Sequence, residues 1–321
     1  MSRAFSWKYV FFVTLAFGLL PLIIQSNYFL HILIMILFFG YLASCWNILG
    51  GFIGLHSVGH SLFVGCGAYV STLLFMKWGL TPWVGMFAGG LLAVAFGLFI
   101  GYLCFRFGLK GPFFLLATFA FAEIAKVMVM NVQWLGGSSG LSVPLQGNAP
   151  YLFQFTEKKY YYYLILAMLG FVLWLSRVIL QRKVGFYFRA IRENQDGAQA
   201  VGIYLMRYKL LAIGLSAFLS ALGGTFFAQY ILFFDPSAIL GVHFSIEIMI
   251  YPIVGGIGTI LGPIAGSFLL VPVSEILRST MGGTFQGVYL VAYGLILVFA
   301  VRFMPGGIVG LFRPTSRTKK Q

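Results

Sequence analysis

Few residues in this 321-residue sequence can do chemistry. His56 and His60 stand four apart, a spacing that can set two imidazoles on one helix face and hold a metal. No Glu or third ligand stands in register with them, so no metal centre is expected. Glu123 and Lys126, three apart, share a helix face and can pair with each other, while Glu247 stands in a separate apolar run. Ionisable groups inside a membrane segment are costly, so these residues either line a polar pathway or, for Glu123 and Lys126, form a structural ion pair. The run Gly255-Gly256-Ile257-Gly258 lacks the lysine and the preceding strand of a phosphate cradle, so the chain is expected to bind no ATP and no other cofactor. Seven acidic residues scattered along the chain make a poor acid–base site, and enzyme chemistry is not expected.

The elements that must position these residues are membrane helices. Sixty per cent of the chain is hydrophobic and 9% is charged, against about 25% charged in an ordinary soluble domain. Apolar stretches of about 20 residues recur, each long enough to cross a hydrocarbon core as a helix that satisfies its own backbone. Runs such as 30–39 are apolar at almost every position, which excludes the alternation of a β-barrel. The pattern predicts an all-α integral membrane protein, a single transmembrane domain over 1–321. About ten spans are expected, at 9–24, 28–49, 58–76, 83–105, 112–130, 160–180, 210–232, 244–258, 260–276 and 285–301. The first span resembles a signal peptide in its basic flank, but no small-x-small cleavage site follows it. Cys45, Cys66 and Cys104 all fall in apolar segments without redox or metal spacing and read as packing residues.

Two polar interruptions remain, 131–159 and 181–209. With the N-terminus inside, Arg3, Lys8, Arg106, Lys110, the cluster from Arg177 to Lys209 and the basic residues of 302–320 are cytoplasmic. Only Lys77, Lys158, Lys159 and Arg278 then face out. Both termini are therefore expected inside, 131–159 becomes an external loop, and the net charge of +14 needs no nucleic acid to explain it. Five spans in each half, approximately 9–130 and 160–301, force the halves into opposite orientation. The third helix of each half is rich in glycine, with Gly65 and Gly67 in one and Gly255, Gly256 and Gly258 in the other. Paired interruptions of this kind point to a midplane pathway, and close helix packing explains them equally well. Glu123 and Glu247 join these glycines as candidate pathway residues.

The loop 181–209 reads as an amphipathic segment. As one helix it would put Arg189, Arg192, Glu193, Asp196 and Gln199 on a polar face with Arg189–Glu193 and Arg192–Asp196 pairs, and Tyr187, Ile191, Ala198, Val201 and Leu205 on the other. Gly197 and Gly202 favour two short helices instead. Such a segment either docks into a partner or anchors the loop at the membrane surface.

Four stretches together, Gly59-His60-Ser61-Leu62-Phe63-Val64-Gly65-Cys66-Gly67-Ala68-Tyr69, Gly136-Gly137-Ser138-Ser139-Gly140-Leu141, Arg189-Ala190-Ile191-Arg192-Glu193-Asn194 and Gly255-Gly256-Ile257-Gly258-Thr259-Ile260-Leu261-Gly262-Pro263, resemble the bacterial branched-chain amino-acid ABC permease family in its LivM-type subunit. The resemblance spans nearly the whole chain. It implies a second homologous permease subunit, two cytoplasmic ATPase subunits that use ATP and magnesium, and an extracytoplasmic solute-binding protein, all at a bacterial inner membrane. It assigns Arg189, Arg192, Glu193, Asp196 and Gly202 to ATPase coupling, although Gln195-Asp196-Gly197 departs from the smaller or more apolar residues frequent there. Branched-chain amino acids are the expected cargo. Urea, short amides or other amino acids are the alternatives within the family, and an ion-coupled secondary transporter is the alternative outside it.

Overall fold

The computed structural model describes residues 26–281 and 307–311, with single positions at 18, 21, 294 and 302. The expected spans at 9–24 and 285–301 lie essentially outside the described residues. The other eight are present as helices. They are α1 (Asn27–Asn47), α2 (His60–Trp78), α3 (Pro82–Arg106), α4 (Pro112–Asn131), α5 (Lys158–Gln181), α8 (Leu205–Ile231), α10 (Val242–Gly256) and α11 (Gly262–Met281). Between α5 and α8 lie the short α6 (Lys183–Glu193) and α7 (Gln195–Ala200), α9 (Pro236–Ile239) precedes α10, and α12 (Gly307–Leu311) comes last. Among the described residues seven segments are long and apolar enough to cross a bilayer and α11 is a shorter apolar helix, which makes the chain a multi-pass membrane protein.

Local chemistry sets the helix ends. Pro82 and Pro112 open α3 and α4 at the first turn, where a missing N–H goes unneeded. Gly79 closes α2 in the left-handed conformation with φ of 63°. α1 does not stop cleanly at Asn47; it widens into a π-helical turn over Ile48–Phe52. Of the two readings of the third-helix glycines, interruption or close packing, Gly65 and Gly67 fit packing, since they lie inside an unbroken α2; the irregular backbone is at this π turn and the coil after it.

Packing follows a repeated scheme. α2 and α3 pack on each other and both on α8, while α10 and α11 pack on each other and both on α1; α1 and α8 meet at the centre. In each set, the third and fourth expected spans of one half clasp the second span of the other. Glycine makes the crossings close: a Cβ on Gly67 would lie 1.8 Å from the Ala221 carbonyl, and one on Gly224 1.9 Å from that of Val64. A buried polar chain adds direction to the centre. Ser216 donates to the Cys45 carbonyl at 2.8 Å, so its oxygen accepts from His60 Nε2 at 2.7 Å, joining α1, α2 and α8. The three cysteines are buried free thiols in these helices.

The two ends of the bundle are built differently. At one, the segment after α4 is strapped over the ends of α2, α3 and α8. A strand pair, β1 (Leu141–Ser142) with β2 (Phe233–Phe234), runs antiparallel, and Val143 N donates to the Leu232 carbonyl at 2.7 Å. Buried Gln154 accepts from Gln146 N at 2.8 Å and donates to the Pro144 carbonyl at 2.9 Å, and Trp83 Nε1 donates to the Pro150 carbonyl. At the other end lie α6, α7, the π turn and the α10–α11 connection.

Candidate functional site

Asn47 and Arg192 organise that second end. Asn47, 1% exposed, lies across its own helix turn: Oδ1 accepts from Gly258 N at 2.9 Å and Nδ2 donates to the Thr259 carbonyl at 2.8 Å. A Cβ on Gly51 would meet Asn47 Oδ1 at 1.8 Å and Gly258 N at 2.7 Å, so the π turn after α1 touches the α10–α11 break backbone to backbone. Gly258 holds φ of 74°, a conformation open to glycine at little cost. Arg192 reaches in from α6. Its Nη1 donates to the Gly51 carbonyl at 2.7 Å, the stem packs on Gly54, and a Cβ on Gly258 would collide with the guanidinium. A single side chain on the amphipathic segment therefore hydrogen-bonds one helix break and packs against the other. The backbone accepts this grip because π-helical and coil geometry leaves carbonyls outside the α-helical ladder.

His56 belongs to the same end. Its ring stacks on Trp46 at 5.8 Å with 8° between planes, and Trp46 Nε1 donates to the Ser57 carbonyl at 2.8 Å. Burial, and then the neighbouring Arg192 charge, pulls His56 below its ordinary value. His56 lies in the coil and His60 at the start of α2, so the two do not share a helix turn.

The amphipathic segment differs from its expected form. Two short helices are present as the glycines suggested, but the break is at Asn194, whose side chain caps α7 by accepting from Gly197 N at 2.9 Å. The change of axis breaks the predicted Arg192–Asp196 pair: Asp196 pairs instead with Lys110 at 3.0 Å, and Arg192 takes the Gly51 carbonyl. Nor does Arg189 pair with Glu193; it donates to the carbonyls of Gly185 and Leu180 and so caps the end of α5. Ile191 and Ala198 are buried as expected, whereas Val201 is exposed. Gly202, φ 85°, forms the turn into α8, which begins five residues before the expected span at 210. Lys209 thus sits in a helix, buried, with its amine on Gln195 Oε1 at 2.7 Å and over the Phe105 ring. A cavity of about 540 Å³ opens here between α3, α7 and α8, lined by Lys110, Asp196, Tyr204 and Lys209 among others.

The remaining candidates are dispersed. Gly255 and Gly256 form the tight end of α10, Gly255 against the Gly262 carbonyl and Gly256 beside Gly307. Gly65 packs on Leu240 and Gly67 on Ala221. Glu247 accepts from Tyr251 OH at 2.7 Å on α10. Glu123 and Lys126 pair as their spacing suggested, on a helix of which only Phe114, Thr118 and Ala122 are buried. Among the described residues no cluster of three metal-ligating side chains occurs. Asn47, Gly51 and Gly54 escaped the sequence reading; the signal was present as a lone Asn followed by Gly50-Gly51 in an otherwise apolar run.

Comparison with known proteins adds a family. A family model described as a branched-chain amino acid transport system permease component matches residues 28–301. The high-affinity branched-chain amino acid transport system permease protein LivM of Escherichia coli K12 is 26% identical, the alignment covering 85% of this chain and 68% of that protein. A LivM of the same description from Salmonella typhimurium LT2 matches equally, at 26% and the same coverage. A probable branched-chain amino acid transport permease LivM from Methanocaldococcus jannaschii is 21% identical over 63% of this chain and 61% of its own length. No solved structure matches.

Proposed function

The chain belongs to the branched-chain amino acid transport system permease family, and from that premise we propose that it is one of two membrane subunits of an ATP-driven importer for branched-chain amino acids. A homologous permease completes the pathway, two ATPase subunits dock at the end that carries α6 and α7, and a solute-binding protein delivers cargo at the strapped end. The observation that carries the reading is the Arg192 grip. An amphipathic segment that merely anchored a loop would have no need to hold the helix breaks of both halves, whereas a lever driven by a partner would.

Several features support the arrangement. Lys110, Asp196, Arg192 and Lys209 gather at one end, while Lys77 meets the Trp134 carbonyl and Lys158 that of Asn27 at the other, in keeping with cytoplasmic and external sides and with both termini inside. The reciprocal packing of α2, α3 on α8 and α10, α11 on α1 is what two inverted halves of a ten-span chain would produce. The strap exposes Trp134, Leu145 and Tyr151, large side chains suited to a protein partner. ATP hydrolysis by the partners shifts the permease between outward and inward states to the extent that they bind the two states differently. The permease of an importer of this kind would reside in a bacterial inner membrane.

Purification of the tagged chain from native membranes in mild detergent, followed by reconstitution and leucine uptake, tests this. ATPases and a second permease should co-purify, and uptake should require ATP. Uptake that follows an ion gradient without ATP would overturn the reading in favour of secondary transport, and ATP-driven uptake of urea or short amides in place of leucine would change the cargo alone.

A further inference from the structure

The Glu123–Lys126 pair lies in an unusual place. Glu123 is about 16 Å along α4 from Pro112 and about 12 Å from Asn131, near the middle of the helix. Lys126 is close enough to the Asn131 end to reach outward, yet its amine turns back toward the helix middle onto Glu123. Both side chains remain partly open, 28% for Glu123 and 22% for Lys126, on the least enclosed of the long helices. Left against hydrocarbon, each charge would be strongly unfavourable. This face of α4 must therefore meet protein or water, and its apolar neighbours Leu116 and Val127 are exposed.

We propose that Glu123 and Lys126 form the recognition site for the two charges of a zwitterionic amino acid moving along this face of α4, between the chain and its partner permease. The assignment rests on the importer reading above. The chemistry is complementary: the Glu123 carboxylate receives the substrate ammonium and the Lys126 ammonium receives the substrate carboxylate. One intramolecular pair is thereby exchanged for two, so the substrate enters without stranding a protein charge at mid-depth. Val127 and Phe119, each four residues from Glu123, flank the carboxylate and offer an apolar surface to an aliphatic side chain. Transport needs recognition weak enough to release, and an exposed pair meets that need where an enclosed pocket would not.

The test uses the reconstituted complex and reads three quantities: leucine uptake, ATP hydrolysis, and its stimulation by loaded binding protein. Glu123→Gln and Lys126→Met should each lower uptake at least tenfold while stimulation by the binding protein persists. The double variant Glu123→Lys with Lys126→Glu restores an ion pair but reverses the positions of the charges against the apolar surface, and should remain impaired though assembled. Full uptake by the reversed variant would overturn the proposal and leave the pair purely structural, as would normal uptake by either single variant. If the single variants fail to assemble, the reversed variant decides alone. Absence of ATP-driven uptake in the unaltered complex would instead strike the importer reading.

Discussion

Two regions of this molecule hold cations with different partners, one with backbone and one with a side chain. At the junction of Asn47, Gly51, Gly258 and Arg192, the guanidinium grips the chain's own backbone, and every glycine is in contact. On α4, Lys126 pairs across a partly open face with an acid three residues away. The first arrangement satisfies groups that a helix break has orphaned, so its disruption should appear as lost folding. The second satisfies charges with no structural debt nearby, so its disruption should appear in transport.

Stability measured as the thermal midpoint in detergent sharpens that contrast. Gly51→Val should have the largest effect, about 3–5 kcal/mol, because its Cβ has no room between Asn47 Oδ1 and Gly258 N; a well-folded variant would mean the two breaks are not in contact. Asn47→Leu leaves the Gly258 N–H and the Thr259 carbonyl without their partner and should cost about 2–3 kcal/mol. Arg192→Ala should cost about 1.5–3 kcal/mol and uncouple ATP hydrolysis from leucine uptake, with Arg192→Lys retaining most of both because an ammonium can reach the same carbonyl. Loss of stability without loss of coupling would reduce the grip to a brace. By contrast, Glu123→Gln should lower stability by under about 1 kcal/mol, the range of exposed pairs, and a larger loss would place the pair with the clasp rather than with the pathway.

The smallest effect expected is that of pH on His56. Its value is lowered in the folded chain, so the unfolded chain binds more protons; its contribution is complete above about 6.5 and is lost as pH falls below that value. Comparing thermal midpoints at pH 7.5 and 5.5 for the parent and His56→Asn should show a smaller acid loss in the variant. Equal losses would assign the acid sensitivity elsewhere.

Much of the architecture was legible from composition, because lipid leaves the backbone few alternatives: a run of 20 apolar residues becomes a helix whatever lies beside it. The amphipathic segment and the Glu123–Lys126 pair were likewise readable, since spacing along one helix suffices for both. The partners of Arg192 and Asp196 were not. A turn at Asn194 separates α6 from α7 and sends the two side chains to residues 141 and 86 positions away in sequence. Glycine was ambiguous for the same reason, since Gly65 and Gly258 look alike in a sequence but one packs inside a helix and the other terminates one.

What the sequence alone determined is therefore the solvent and the local order: a membrane protein, its helices, its polar interruptions, and pairs within a turn of one another. What only the tertiary structure decided is which breaks meet. The Gly51–Gly258 contact joins residues more than two hundred positions apart, and no local periodicity encodes it. Its partners are backbone groups, identical at every residue, so only the three-dimensional path of the chain selects the carbonyl that Arg192 holds and the N–H that Asn47 receives.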